Sequence, residues 1–568
     1  MASKQTRALR SQEWFREPSY YGFARRAWLR SEGFGAEIFD GKPVIGIANS
    51  WSELNNCNLH LKQVAEAVKR GVWAAGGVPL EFPTISLGEM FMRPTSMLFR
   101  NLMAMDVEES IRAYPLDGVV LLCGCDKTTP AQLMGAASAD LPAIVVPGGP
   151  MLAGQWRDRR LGAGTDGRKL YDLHRTGRIT DEEWCEIEGS IARSAGHCTV
   201  MGTASTMACA AEALGMTLPG CAAIPAPDSR RLAIAESSGR RIVEMVAGDL
   251  RPSRILTREA FENAIAVDMA IGGSTNAVVH LIAIAGRVGI ELPLEDFDRI
   301  SRRTPCLVNV KPSGEFLMED FFRAGGVPAV VREILPLLHG GALTVTGLSL
   351  AENAARAECR DRAVIRAFAE PLHPEGGTVI LRGNLAPAGA VVKQTAASPH
   401  LLTHRGPALV FDNIGEMRAR IDSPDLPVTP ETVLVMMNCG PRGGPGMPEW
   451  GHIPMPRVLL DRGVTDMVRV SDARMSGTSF GTVVLHVAPE SAAGGPLAAV
   501  RTGDEIVLDT PNRRLDLNVP AEEIARRLAA FTPPPPAYSR GYGKLFLDHV
   551  TQADLGCDFD FLRAETRR

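Results

Sequence analysis

Gly124-Cys125-Asp126-Lys127 sets a thiol, a carboxylate and an amine side by side. The tetrad follows an apolar run at 118–123 (GVVLLC) and precedes a helix-forming run at 131–139. Cys57 lies just before a helical pattern at 59–75, and Cys198 just before an alanine-rich pattern at 203–214. All three cysteines therefore stand near predicted helix N-termini, where the positive end of the backbone dipole lowers a thiolate's pKa and favours an anionic centre. Thiolates suit iron–sulfur clusters or zinc. The wide spacing is nothing like Cys-x-x-Cys, and spacing alone favours three small buried apolar residues. Cys123, Cys185, Cys209, Cys221, Cys306, Cys359, Cys439 and Cys557 are read in that way.

Three carboxylates follow predicted strand ends: Glu89 in SLGEM, Asp126 in the tetrad and Glu449 in GPRGGPGMPEWG. Magnesium takes oxygen ligands and keeps several waters, which such a set would suit. Taken singly, each also reads as a solvated loop carboxylate. Segment 471–481 (SDARMSGTSFG) holds Ser476, Thr478 and Ser479 among glycines. It offers a nucleophile or base, or simple turn chemistry. The glycine-rich loop before Glu449 lacks the Gly-Lys-Ser/Thr ending of a phosphate-binding P-loop. His60, His197 and His452 flank these candidates and read as packing groups.

The elements that must position these residues are legible as a rhythm. Runs at 42–50, 78–85, 118–123 and 143–147 read as strands, separated by helical patterns. Thr129 reads as a helix cap ahead of Pro130. This βαβ order predicts a mostly parallel α/β sheet, with ligands beyond the carboxyl ends of its strands. After about residue 375, strands at 378–382, 408–411, 433–438, 467–471, 482–487, 505–508 and 514–519 come with Gly/Pro-rich turns. They predict a second, β-rich, barrel-like domain. The expected division is 1–374 and 375–568, with prolines 533–536 as a stiff linker to a tail.

Composition bounds the partners. The chain has 568 residues, 45% of them apolar and 22% charged, which excludes disorder as its main state. A net charge of −4 leaves no basic surplus to hold nucleic acid or an anionic membrane. No run of signal-peptide or membrane-spanning character occurs, so a cytoplasmic protein is expected. Eleven cysteines, an odd count, suggest free thiols, metal ligands or catalysis rather than a disulfide framework.

Five segments, in one order along nearly the whole chain, together resemble one family: Asn55-Asn56-Cys57-Asn58-Leu59-His60, Gly124-Cys125-Asp126-Lys127-Thr128-Thr129-Pro130, residues 196–207 (GHCTVMGTASTM), Gly444-Pro445-Gly446-Met447-Pro448-Glu449, and residues 471–478 (SDARMSGT). The family is that of the dihydroxy-acid and sugar-acid dehydratases, which include phosphogluconate dehydratase. No position in these motifs departs from its pattern. The resemblance implies that Cys57, Cys125 and Cys198 hold an iron–sulfur cluster with one iron open to substrate. It implies that Glu89, Asp126, Glu449 and a carbamylated Lys127 bind magnesium, and that Ser476, as an alkoxide beside Thr478, is the base.

The implied reaction dehydrates a 2,3-dihydroxy acid to a 2-keto-3-deoxy acid. Ser476 takes the C2 proton and a cluster iron acts as Lewis acid at the C3 hydroxyl. The wording around Ser476 and Glu449 is similar to the sugar-acid branch, to its L-arabinonate-dehydrating members first and its D-xylonate-dehydrating ones next. That branch implies a 2Fe–2S rather than a 4Fe–4S cluster, a small sugar-acid partner, and a homodimer or homotetramer. The alternatives are the branched-chain dihydroxy-acid dehydratase, a thiolate-zinc hydrolase and a non-catalytic scaffold.

Overall fold

The computed structural model describes residues 8–565. Its first sheet consists of β1 (Val44–Asn49), β2 (Val78–Pro83), β3 (Gly118–Cys123) and β4 (Ala143–Pro147), in the order β2-β1-β3-β4 and parallel throughout. β1, β3 and β4 are buried along their whole length, which is why they read as unbroken Val/Ile/Leu runs. Helices Leu61–Ala74, Arg100–Ala113 and Thr128–Ala139 make the crossovers. Helix Leu61–Ala74 lies so close to helix Ser229–Ala247 that a Cβ on Gly71 would sit 1.9 Å from the Glu236 carbonyl oxygen, and one on Gly239 2.2 Å from that of Val68. Only glycine permits that approach. A short hairpin, β5 (Gly154–Trp156) and β6 (Arg159–Leu161), precedes the largely helical stretch from residue 165 to 354.

The second sheet has eight strands: β7 (Thr378–Leu381), β8 (Gly389–Lys393), β9 (Thr403–Phe411), β10 (Val433–Met436), β11 (Arg469–Ser471), β12 (Val483–Ala488), β13 (Glu505–Asp509) and β14 (Arg514–Leu517). Their order is β14-β13-β9-β10-β11-β12-β8-β7. β9 to β12 pair in parallel and the flanking strands are antiparallel. The edges nearly meet, because Arg382, just past β7, donates its N–H to the Arg513 carbonyl at 2.8 Å and accepts from the Leu515 N–H at 2.9 Å. The expected parallel α/β region and β-rich, barrel-like region are thus both present.

Two local expectations need correction. The helix after the tetrad starts at Thr128, with Lys127 in the cap position, so Thr129 lies inside its first turn. The reason is that the Thr128 hydroxyl accepts from the Gly124 and Cys125 N–H groups at 3.2 and 3.0 Å and tightens the loop one residue early. The segment beyond the exposed prolines 533–536 is no free tail. Helix Gly541–His549 and the residues after it pack on the N-terminal region. The buried Arg100 guanidinium donates to the Gly556 and Cys557 carbonyls at 2.9 and 2.8 Å, and the Tyr542 hydroxyl donates to the Leu98 carbonyl at 2.7 Å. Arg287 grips Asp558 through two hydrogen bonds of 2.7 and 3.0 Å, with both side chains buried.

Among the described residues no helix is long and apolar enough to cross a membrane. Asp558→Ala removes two of the hydrogen bonds to the buried Arg287 and leaves it Glu108, at 3.2 Å, as its remaining ion-pair partner. It should therefore cost about 1–3 kcal/mol, read as a lowered midpoint in calorimetric or denaturant unfolding; an unchanged midpoint would contradict this assignment.

Candidate active site

The loops that follow β1, β2 and β3 carry Cys57, Glu89 and Cys125, at the carboxyl ends of parallel strands. Gly124 lets the Cys57 and Cys125 loops touch: a Cβ there would lie 2.5 Å from the Cys57 carbonyl oxygen. The Cys198 loop is stitched to the Cys57 loop by the Gly196 N–H, which donates to the Asn56 carbonyl at 3.1 Å. His60 Nε2 pairs with the Gly148 carbonyl at 2.8 Å, and His197 Nδ1 with the Cys198 carbonyl at 3.1 Å and the Ser205 hydroxyl at 3.3 Å. Burial pushes His60 down to about 4 and His197 to about 3, so both are neutral and fit the packing role expected of them.

The Cys57 and Cys125 thiols are in contact, and Cys198 is near enough to feel the charge of Cys125. Contact with the Cys125 thiol, burial, and the nearness of Cys198 and Asp126 push the Cys57 thiol well above its ordinary range. Burial, with Cys125, Asp126 and Glu449 nearby, pushes Cys198 up to about 12, against an opposing pull from Arg168. Thiols crowded in this way resist ionising side by side, and a cationic metal would relieve that crowding.

Beside them lies a buried charge cluster. The Lys127 side chain is 0% exposed. Its Nζ contacts Asp126, with Glu89 at 3.2 Å and Glu449 at 3.3 Å. Burial and Arg474 oppose the ammonium charge, but the three carboxylates outweigh them and hold the pKa of Lys127 above its usual value. Glu89 is cradled by the Thr95 hydroxyl at 2.8 Å, the Ser96 N–H at 3.1 Å and the Ser96 hydroxyl. Burial opposes its ionisation, yet Lys127, Arg474 and these hydroxyls hold Glu89 below the usual carboxylate range. Glu449 is shifted the other way, upward, chiefly by burial.

Arg474 closes the cluster, reaching Glu449 at 3.3 Å, the Thr95 hydroxyl at 3.1 Å and the Met447 carbonyl at 2.8 Å. Three carboxylates thus face two cations, and the set is short of positive charge. Among the described residues no three His, Cys, Asp or Glu side chains form a ready-made metal-binding group; the middle of the carboxylate set is filled by the Lys127 amine.

The serine loop reaches this region from the second sheet, between β11 and β12. Ser476 Oγ lies 3.0 Å from the Thr478 hydroxyl. Asn276 Nδ2 donates to the Met475 carbonyl at 3.0 Å, and the Thr165 hydroxyl to the Thr478 carbonyl at 2.7 Å. A Cβ on Gly477 would lie 2.5 Å from the Thr203 nitrogen, so the loop seats against the N-terminus of helix Thr203–Ala213. Arg474 belongs to the same loop and ties it to Glu449. Among the described residues no hydrogen bond joins Ser476 directly to Lys127 or to the three cysteines.

Sequence reasoning passed over Thr95, Ser96, Arg168 and Asn276, and gave Arg474 no role. The one available signal was an arginine within a Gly/Ser loop already singled out for chemistry.

The comparisons with known proteins agree in covering the whole site. Residues 42–353 match the model of the dihydroxy-acid/6-phosphogluconate dehydratase N-terminal domain, and residues 363–557 that of the C-terminal domain. The chain is 54% identical to an L-arabinonate dehydratase of Rhizobium leguminosarum bv. trifolii, over 98% of this chain and 96% of that one. It is 55% identical to an L-arabonate dehydratase of Azospirillum brasilense, over 98% and 97%. It is 51% identical to a 6-deoxy-6-sulfo-D-gluconate dehydratase of Pseudomonas putida, over 99% and 97%. Matches of this extent leave no room for a hydrolase or a scaffold: the chain belongs to the dihydroxy-acid/6-phosphogluconate dehydratase family and is a hydro-lyase.

Proposed function

We propose that this hydro-lyase dehydrates an aldonate, L-arabinonate or a related pentonate, to the 2-keto-3-deoxy acid. One observation carries the reading: three carboxylates from distant segments meet at Lys127, and Cys125, in contact with Cys57, lies directly beside one of them, Asp126. Cys57, Cys125 and Cys198 would hold the iron–sulfur cluster, of the 2Fe–2S type by likeness to the sugar-acid branch. Glu89, Asp126, Glu449 and Lys127 would hold magnesium. The donor sets fit, since thiolates suit iron and crowded oxygens suit a hard divalent cation. Once bound, these groups supply Lewis acidity at the C3 hydroxyl and neutralise charge at the carboxylate and the C2 oxygen.

The chain's own groups then have defined tasks. Ser476 Oγ accepts the proton from C2. The electron pair left behind forms the C2–C3 double bond, the C3 hydroxyl leaves as hydroxide and takes up a proton to depart as water, and the enol tautomerises to the ketone. A serine hydroxyl is far too weak a base unless nearby cations depress its pKa. The Thr478 hydroxyl, 3.0 Å away, is placed to donate to the Ser476 oxygen and stabilise its anion. Lys127, as an ammonium, would repel magnesium; loss of its proton and addition of carbon dioxide, with release of a second proton, would convert it to an anionic carbamate oxygen ligand.

Three outcomes follow for oxygen-protected enzyme. Assayed side by side, L-arabinonate or D-xylonate should outrun 2,3-dihydroxyisovalerate in kcat/KM; the reverse order would assign the branched-chain activity. Ser476→Ala should lower kcat by about 10²–10⁴-fold with the fold intact, and an unchanged kcat would remove Ser476 from the mechanism. Lys127→Arg should be inactive, and an active variant would exclude the carbamate.

A further inference from the structure

A cavity of about 120 Å³ opens beside the proposed site, between helix Thr165–Arg175 and the loops that carry Glu449 and Ser476. About 10–15 Å³ suffices for one water, so it has room for several atoms of a bound molecule. Arg168, Asp172 and Arg175 face it from one side of the helix, at positions four and three residues apart. His452, Arg469 and Phe480 face it from the second sheet's side. Arg168 is close enough to Glu449 and Cys198 to feel the charge of both. His452 lies three residues past Glu449, and Phe480 two past Thr478. Arg168 thus stands between the cavity, which it lines, and Glu449 and Cys198, whose charge it feels.

The residues of its walls hold buried, unpaired nitrogens. Arg168 Nε, Arg469 Nε and His452 Nδ1 are each buried without a hydrogen-bond partner. Leaving such a group unpaired costs about 1–3 kcal/mol, and three around one cavity mark a place where something else supplies the acceptors. The charges say what kind of molecule. Arg469 is already paired with Asp466 at 2.6 Å, and Arg175 with Asp172 at 3.2 Å and with Asp422. Arg168 has no ion pair among the described residues. Donors thus alternate with the Asp172 carboxylate and the Thr465 hydroxyl, which also line the cavity. Hydroxyl groups both donate and accept, so this lining matches a neutral polyol better than a terminal phosphate or sulfonate.

We infer that this cavity is the subsite for the distal C4–C5 hydroxyls of the sugar acid, with Arg168 as its principal specificity-determining donor. The inference rests on the dehydratase reading and assigns the part of the substrate that this reading leaves unplaced. Phe480 offers an apolar face to the carbon chain, and His452 Nδ1 offers an unpaired ring nitrogen, donor or acceptor by tautomer, to a hydroxyl.

The test compares a five-carbon aldonate with glycerate, a 2,3-dihydroxy acid that has no distal hydroxyls. Arg168→Met should lower the ratio of their kcat/KM values by about tenfold to a hundredfold, mainly by raising KM for the aldonate. Thr465→Val, at an exposed position, should lower the same ratio without altering thermal stability. Calorimetric binding of the aldonate to the as-isolated enzyme should weaken in parallel. An unchanged ratio in both variants, or a six-carbon aldonate with a terminal phosphate or sulfonate binding more tightly than the unmodified acid, would overturn the assignment. Should the wild-type enzyme turn over no 2,3-dihydroxy acid, the dehydratase reading fails by itself, and the calorimetric comparison still decides whether the cavity binds a polyol.

Discussion

An ammonium with no exposure to water survives only where countercharge surrounds it, because desolvating one ion costs several kcal/mol. Lys127 meets that demand with carboxylates from three places: Glu89 after β2, Asp126 after β3 and Glu449 after β10. Neither sheet provides all three. The Lys127–Glu449 contact therefore bridges the barrel-like sheet and the parallel one, and Arg474 reinforces it by joining Glu449 to Thr95. The Arg287–Asp558 pair secures the same union from the far end of the chain, where the C-terminal segment returns to the first unit.

Around this cluster the fold spends stability on function. Thiols are crowded, buried nitrogens on the residues lining a cavity lack partners, and glycines stand where a side chain would block close approach. Such departures from local optimality are expected at a working site and are offset by the rest of the core. Gly124 and Gly477 do the same job for different loops, one letting the Cys57 loop touch the Cys125 loop and the other seating the serine loop on a helix N-terminus. On the proposed reading, an electron-poor metal at the thiols and a hard cation at the carboxylates would make a poor leaving group and a weakly acidic C–H tractable.

Much of this was legible in the residues. β3 and β4 appear at their exact bounds because a doubly covered parallel strand is a pure apolar run. β9 was recognised only over its last four residues, since Thr403–Phe411 begins with alternating exposed positions that read as a turn. β8 went unseen: it is five residues long, opens on glycine and alanine, and ends on Lys393, whose burial no local pattern reveals. The motif residues carry their chemistry in their types, so the thiols, acids and serine could be named. Thr95, Ser96, Arg168 and Asn276 could not: Thr95 and Ser96 matter through how the backbone folds back on Glu89, Asn276 through the distant Met475 carbonyl, and Arg168 through the cavity it lines.

The account stands or falls on the three convergent thiols holding iron that takes part in the elimination. The most direct measurement is the iron and acid-labile sulfide content of freshly isolated, oxygen-protected protein, followed together with its aldonate turnover as the metal is removed and restored. The account predicts about two irons and two sulfides per chain, a brown solution, and turnover that falls and returns with them. Full-rate dehydration by protein free of iron and sulfide would contradict it.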